Sequence, residues 1–137
     1  EIEALPDVEG FMAACRERDV IVALNTGFPR RIAEAVVGRM GWLESGLVTD
    51  LIASDEVSEG RPSPEMILTL MERHGIEDAS LVMKVGDTMV DIQEGQNARC
   101  GLVVGVTTGA YSRESLLQWS PDHVIDRFGE LNALIWR

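Results

Sequence analysis

The stretch Lys84-Val85-Gly86-Asp87-Thr88-Met89-Val90-Asp91 decides how this chain is read. A mostly apolar run from Leu81 to Val85 stops at Gly-Asp, and a second aspartate follows four residues later. A buried strand has no solvent to offer a charge, so carboxylates belong where the strand emerges. In an open α/β sheet that carboxyl end is also where ligands bind. Two hard oxygen donors beside a turn suit Mg²⁺, which is commonly held through one or two carboxylates with water and substrate phosphate. The same spacing suits a plain helix cap, Asp87 and Asp91 taking up free backbone N–H groups. Taken alone, the stretch leaves both readings open.

On either side of it the chain alternates helix and strand. Residues from Val8 to Arg18 read as a helix, with Phe11, Met12 and Cys15 on one side and charges on the other. Val20 to Leu24 is a continuous, β-branched apolar run, the pattern of a strand buried on both faces. Asn25-Thr26-Gly27 breaks that run, and Pro29 suits the first turn of a helix reaching about Met40. A short strand is expected from Leu51 to Ala53. Ser63 then reads as the N-cap and Pro64 as the first residue of a helix that runs to His74 and stops at Gly75. Beyond the strand Leu81–Val85 come a helix from about Val90 to Ala98 and a strand from Leu102 to Val106. A helix from Ser112 to Trp119, an edge strand from His123 to Ile125 and a closing helix from Leu131 to Trp136 complete the chain. Such alternation predicts βαβ units and a Rossmann-like parallel sheet with flanking helices, an α/β fold. No repeat, low-complexity tract or linker interrupts it, so residues 1–137 read as one domain.

Composition narrows the partners. With 137 residues, 45% hydrophobic and 26% charged, the chain is of ordinary globular make-up. Its formal net charge of -11 argues against nucleic acid or an anionic membrane as the main partner. No apolar run approaches the roughly 18 residues of a membrane span, and no signal peptide is apparent, so a cytoplasmic setting is expected. Cys15 and Cys100 stand in no metal-ligand or redox spacing and read as small hydrophobes. The methionines around Met66 and Met71 read as core, and His74 and His123 as structural or solvated.

Three further polar positions fall at strand ends. Thr26 follows a buried strand and precedes a helix, where a hydroxyl and free N–H groups can accept a phosphate; a turn residue would look the same. Arg61 precedes a helix that starts with proline, and could equally be a solvated surface arginine. Lys84 lies inside an apolar strand, on the face shared by Val82 and Gly86. Its ammonium should reach the carboxyl rim and find Asp87, Asp91 or a phosphate there.

Thr26, Arg61 and the Asp87/Asp91 pair, in that order, resemble the haloacid dehalogenase superfamily. Gly60-Arg61-Pro62-Ser63-Pro64 together with Lys84-Val85-Gly86-Asp87-Thr88 resembles most its phosphonatase-like branch, relatives of phosphonoacetaldehyde hydrolase. Gln93-Glu94-Gly95-Gln96-Asn97-Ala98 and Val104-Gly105-Val106-Thr107-Thr108-Gly109 fit that branch too, whereas Arg99-Cys100-Gly101 departs from it slightly. The resemblance implies that Thr26 and Gly27 bind phosphate. It implies that Arg61 and Lys84 serve catalysis, Arg61 also contacting phosphate, and that Asp87 and Asp91 complete a Mg²⁺ site. The expected activity is Mg²⁺-dependent phosphohydrolysis of a small phosphorylated or phosphonate substrate through an aspartyl-phosphate. The alternatives are hydrolysis of the C–P bond of phosphonoacetaldehyde and a half-core that binds phosphate or a partner without turnover.

One departure bears on the chemistry. The family's nucleophile lies in an Asp-x-Asp element on a central strand, and no Asp-x-Asp occurs in these 137 residues. Asp7 is no substitute, because Pro6-Asp7-Val8-Glu9-Gly10 reads as a helix start. The chain opens on Glu1-Ile2-Glu3-Ala4-Leu5-Pro6 rather than on methionine. It is therefore expected to be the part of a core domain that follows the central strand and the helical cap, inactive alone. Its sheet should then be completed by a missing N-terminal segment or a neighbouring chain, or closed by pairing the two flanking strands.

Overall fold

Two parallel sheets, rather than one, carry the strands of this molecule. A computed structural model describes residues 6–136, with five strands and seven α-helices among them. Helix α1 (Pro6–Glu17) leads into β1 (Ala23–Asn25), which is followed by α2 (Arg30–Met40), the short α3 (Trp42–Ser45) and β2 (Asp50–Ile52). These make the first sheet, in which β1 and β2 pair in parallel with Leu24 opposite Leu51. Helix α4 (Glu65–Arg73) crosses to the second half. There β3 (Met83–Gly86), α5 (Met89–Asn97), β4 (Leu102–Val106), α6 (Arg113–Leu117), β5 (His123–Ile125) and α7 (Leu131–Ile135) follow in order. The second sheet has the order β3–β4–β5, all parallel, with Gly86 opposite Gly105 and Val106 opposite Ile125.

Each layer is held by the apolar faces the sequence supplies. Val104, Val106 and Ile125 of the second sheet pack on Phe11 and Cys15 of α1 and on Leu131 of α7. On the opposite face Val103 meets Ile92 of α5 and Leu116 of α6, both fully buried. In the first half Leu51 packs on Ala33 and Val37 of α2. Ile67 and Met71 of α4 pack on Ala98 at the end of α5, so the helices join the two halves behind the sheets. Truncating such a fully buried leucine costs about 2–5 kcal/mol in general, and Leu51, Leu116 and Leu131 all have under 2% of their surface exposed.

Several expectations need correction at their edges. Val20 and Ile21 were expected in a buried strand, yet β1 starts only at Ala23 and both side chains are more than 40% exposed. Pairing with β2 begins at Ala23–Asp50, preceded only by the Thr49 N–H donating to Val22 O at 2.7 Å, so Val20 and Ile21 have no ladder to join. Leu81 likewise lies in a 3₁₀ turn (Ala79–Leu81) and is exposed, because the Asp78 side chain accepts from the Ser80 N–H and closes a turn there. Helix α4 begins at Glu65, with Ser63 Oγ accepting the Glu65 N–H from just outside it. The expected helix over Ser112–Trp119 is shorter, Arg113–Leu117, with Ser112 as its cap. Trp136 falls just beyond α7, where its ring stacks on Phe11 at 6.2 Å between centroids and lies under the Arg18 guanidinium.

Of the expected ways to complete the sheet, pairing of the flanking strands does not occur among the described residues. β1 and β3 face each other with no backbone hydrogen bonds between them. Side chains cross the interval instead, as described below, and the α4–α5 packing keeps the halves at that spacing.

Other polar groups find local partners. Asp50 opens β2 between His74 Nε2 (2.9 Å) and Arg73 Nη1 (3.3 Å). Burial pushes its carboxyl up, but these donors and the Leu51 N–H outweigh that and hold it below the usual range. His74 is thus structural. Met66 is fully buried, and Cys15 is buried while Cys100 is half-buried; burial pushes both thiols up, Cys100 to about 11. Asp7 lies in the first turn of α1, the helix start expected of it, and accepts the Gly129 N–H. Among the described residues no helix is long and apolar enough to cross a membrane.

Candidate functional site

The carboxyl ends of β1 and β3 open onto a cavity of ≈ 320 Å³ between the two sheets. Its walls include Asn25 of β1, Arg61, Lys84 and Gly86 of β3, and both Asp87 and Asp91. Each element brings its side chain there for a local reason. Strand β3 ends at Gly86, where an added Cβ would overlap the Asp91 side chain, so only glycine lets that carboxylate fold back over the strand tip. Gly109, after β4, gives the same clearance to Asp87. Gly27 is approached less closely, Arg61 Nη2 lying 3.3 Å from where a Cβ would stand.

Asp91 is the hub. Its Oδ2 accepts from the Asp87 N–H (3.1 Å), the Thr88 N–H (3.1 Å) and the Thr88 hydroxyl (2.9 Å). Its Oδ1 accepts from Arg61 Nη1 at 2.6 Å and lies 3.6 Å from Lys84 Nζ. Thr88 caps α5 and Asp91 closes the capping box, so the cap reading holds for Asp91. Asp87 takes no part in it. Its carboxylate receives none of these donors and stands at the cavity wall.

The remaining expected residues are brought to the same place. Arg61 is not a solvated surface arginine: its side chain is 26% exposed and paired with Asp91. Thr26 follows β1 with its hydroxyl oxygen accepting the Phe28 N–H at 3.1 Å, which makes it a turn residue and leaves its O–H to donate. Lys84 is buried and, as a buried ammonium requires, partnered, but its partners differ in part from expectation. Nζ donates to Asn25 Oδ1 at 2.7 Å and pairs with Glu94 Oε1 at 3.1 Å and with Asp91, not with Asp87.

Asn25 and Glu94 were not singled out by the sequence reading. Glu94 lies three residues after Asp91 and so on the same face of α5, a signal that helical spacing supplies. Asn25 carried no signal beyond its place before Thr26. Its Nδ2 donates to Glu94 Oε2 at 2.6 Å, so Asn25, Lys84 and Glu94 form a closed bridge from β1 to β3 and α5.

The donor set can be tested against Mg²⁺. Among the described residues Asp91 has both oxygens engaged by donors, whereas neither oxygen of Asp87 receives one. Among the described residues no three His, Cys, Asp or Glu side chains converge as a cage. What fits a cation is the uncommitted Asp87 carboxylate at the cavity edge, which would hold it with its other positions left to water and phosphate oxygens. Arg61, Lys84 and the Thr26 turn stand where an anion could be met.

The model of the haloacid dehalogenase-like hydrolase family matches residues 1–99. The phosphonoacetaldehyde hydrolase of Parabacteroides distasonis is 38% identical over 107 residues, covering 77% of this chain and 39% of that protein. The N-acetylmuramic acid 6-phosphate phosphatase of Pseudomonas aeruginosa is 30% identical over 126 residues, covering 88% of this chain and 52% of that one. Among solved structures, a predicted phosphoglycolate phosphatase from Haemophilus somnus 129pt superposes with a TM-score of 0.84 at 23% identity. It shares the fold over 96% of this chain and 57% of that one. The chain spans about half the length of the curated relatives it matches.

Proposed function

The chain belongs to the haloacid dehalogenase-like hydrolases, and from that premise we propose that it is the phosphate-binding part of a Mg²⁺-dependent phosphohydrolase of the phosphonatase-like branch. The observation that carries this reading is the convergence of Arg61, Lys84, Asp87 and Asp91 on one cavity beside the Thr26 turn, from segments far apart in sequence.

In this reading the Thr26 hydroxyl and the N–H groups of the Thr26–Gly27 turn hold phosphate oxygens. Arg61 and Lys84 offset the charge that develops on the phosphoryl group, and Asp91 keeps both cations aimed at it. Asp87 would hold the Mg²⁺, which when bound supplies further charge neutralisation to the phosphate. The attacking carboxylate comes from a segment lying between β1 and β3, whose free edges face each other across the cavity. In this reading a segment outside the described residues or a neighbouring chain provides it, and the described residues by themselves bind without turning over. Losing a covalent nucleophile costs several orders of magnitude in rate.

A phosphonate substrate is supported by the likeness to phosphonoacetaldehyde hydrolases, and a phosphoester by the likeness to a sugar-phosphate phosphatase. The test begins with orthophosphate titrated into the chain, with and without Mg²⁺. Binding should tighten with Mg²⁺ and vanish in Arg61→Ala. The parent protein containing this chain is then assayed with p-nitrophenyl phosphate and with phosphonoacetaldehyde. No orthophosphate binding with Mg²⁺ present, or binding indifferent to Arg61, refutes the site. A parent that binds phosphate but turns over neither substrate leaves the reading of a half-core without catalysis.

A further inference from the structure

Glu94 is fully buried on α5, and the roles proposed above do not use it. Its Oε2 is satisfied by Asn25, but Oε1 has no hydrogen-bond partner although the Lys84 ammonium is 3.1 Å away. Gly95 lets α5 settle directly on Lys84: a Cβ there would come within 2.9 Å of Lys84 Cβ. The helix therefore presses a carboxylate against the one lysine of the cavity. Stability does not explain this. A buried ion pair is commonly no better than apolar side chains of the same volume, and Lys84 already has Asp91 and Asn25 beside it.

A count of formal charges does suggest a purpose. Arg61 and Lys84 bring two positive charges, and Asp91 and Glu94 cancel both. Asp87 then leaves the cavity one negative charge in excess. With Glu94 uncharged the remaining four would sum to zero, and Lys84 would keep one counter-charge, Asp91, instead of two.

We infer that Glu94 sets the charge of the cavity, neutralising Lys84 so that a phosphate is admitted only together with a divalent cation. This rests on the phosphate-binding reading above. Glu94 touches neither ligand in it and acts through Lys84, so it is a positioning residue. The purpose served is selectivity: an anion arriving alone meets a negative cavity, while an anion arriving with its metal meets a matched one.

The experiment measures orthophosphate affinity in chelator and in Mg²⁺ for the chain and for Glu94→Gln and Glu94→Asp, with a thermal melt for each. Glu94→Gln should bind orthophosphate about tenfold more tightly than the parent chain in chelator, the effect of removing one nearby unit charge. It should also lose most of its dependence on Mg²⁺. Glu94→Asp keeps the charge and should keep the dependence. A purely structural Glu94 predicts the opposite sign or no change in chelator, and either result overturns the inference. Glu94→Met, neutral and of similar length, takes the place of the glutamine variant if that one does not fold. Arg61→Ala separates the two readings. If orthophosphate binding ignores Arg61, the site itself is wrong; if Arg61 matters and Glu94→Gln changes nothing, only the role of Glu94 fails.

Discussion

Replacing Asp91 with alanine is expected to lower the unfolding free energy by about 3–5 kcal/mol and to abolish orthophosphate binding. The carboxylate is 8% exposed and is the acceptor for two backbone N–H groups, one hydroxyl and the Arg61 guanidinium, with Lys84 close by. Removing it leaves two cations confined in one cavity with a single carboxylate, Glu94, against either of them. It also opens the capping box that starts α5. Loss of a cap alone would cost about 1 kcal/mol, so the stranded charge has to supply most of the effect. Urea unfolding of the variant is the measurement. A loss near 1 kcal/mol, with an unchanged denaturant slope, would show that Asp91 is a cap and nothing more.

Asp87, four residues earlier, should behave in the contrary way. Asp87→Asn removes no hydrogen bond found in the structure, and its stability should stay within about 0.5 kcal/mol of the parent chain. Its effect should fall on the metal. The tightening of orthophosphate binding by Mg²⁺ should disappear, and the Mg²⁺-dependent activity of the parent protein should drop roughly 100-fold or more. A variant whose binding still responds to Mg²⁺ would remove Asp87 from the role of ligand. Two aspartates in one short motif are thus divided by their contacts, Asp91 accepting from two N–H groups, a hydroxyl and a guanidinium and Asp87 from none of these.

That division could not be read from the spacing. The sequence places both carboxylates at a strand tip, and the tip, its βαβ setting and the approach of Thr26 and Arg61 are as expected. What the spacing lacks is the donor count on each oxygen, which depends on Gly86 and on a guanidinium thirty residues upstream. The bridge through Asn25 and Glu94 was hidden for a similar reason. Its two ends are 69 residues apart, and neither residue type is unusual in a turn or on a helix. Strand limits failed where pairing rather than propensity sets them. Val20 and Ile21 have the composition of a strand, but β2 offers no partner before Asp50. The apolar run that misled at Val20 served well at Leu102–Val106, where β4 has neighbours on both sides.

The division into two sheets also has a consequence in time. β4 is hydrogen-bonded along both edges and lies between two apolar layers, whereas β1 and β2 form a three-residue ribbon tied to the rest by helix packing, the Asn25 bridge and the contacts of Asp50 with Arg73 and His74. Two strands alone are marginal in water, and regions with few buried contacts open independently of the whole. The amides of Val103 and Val104 should then exchange with deuterium only on global unfolding, and those of Leu51 and Ile52 well before; equal rates would mean one cooperative unit. On this view the Thr26 turn spends part of its life away from Asp91, and a bound anion would lengthen the closed state as it draws the two halves together.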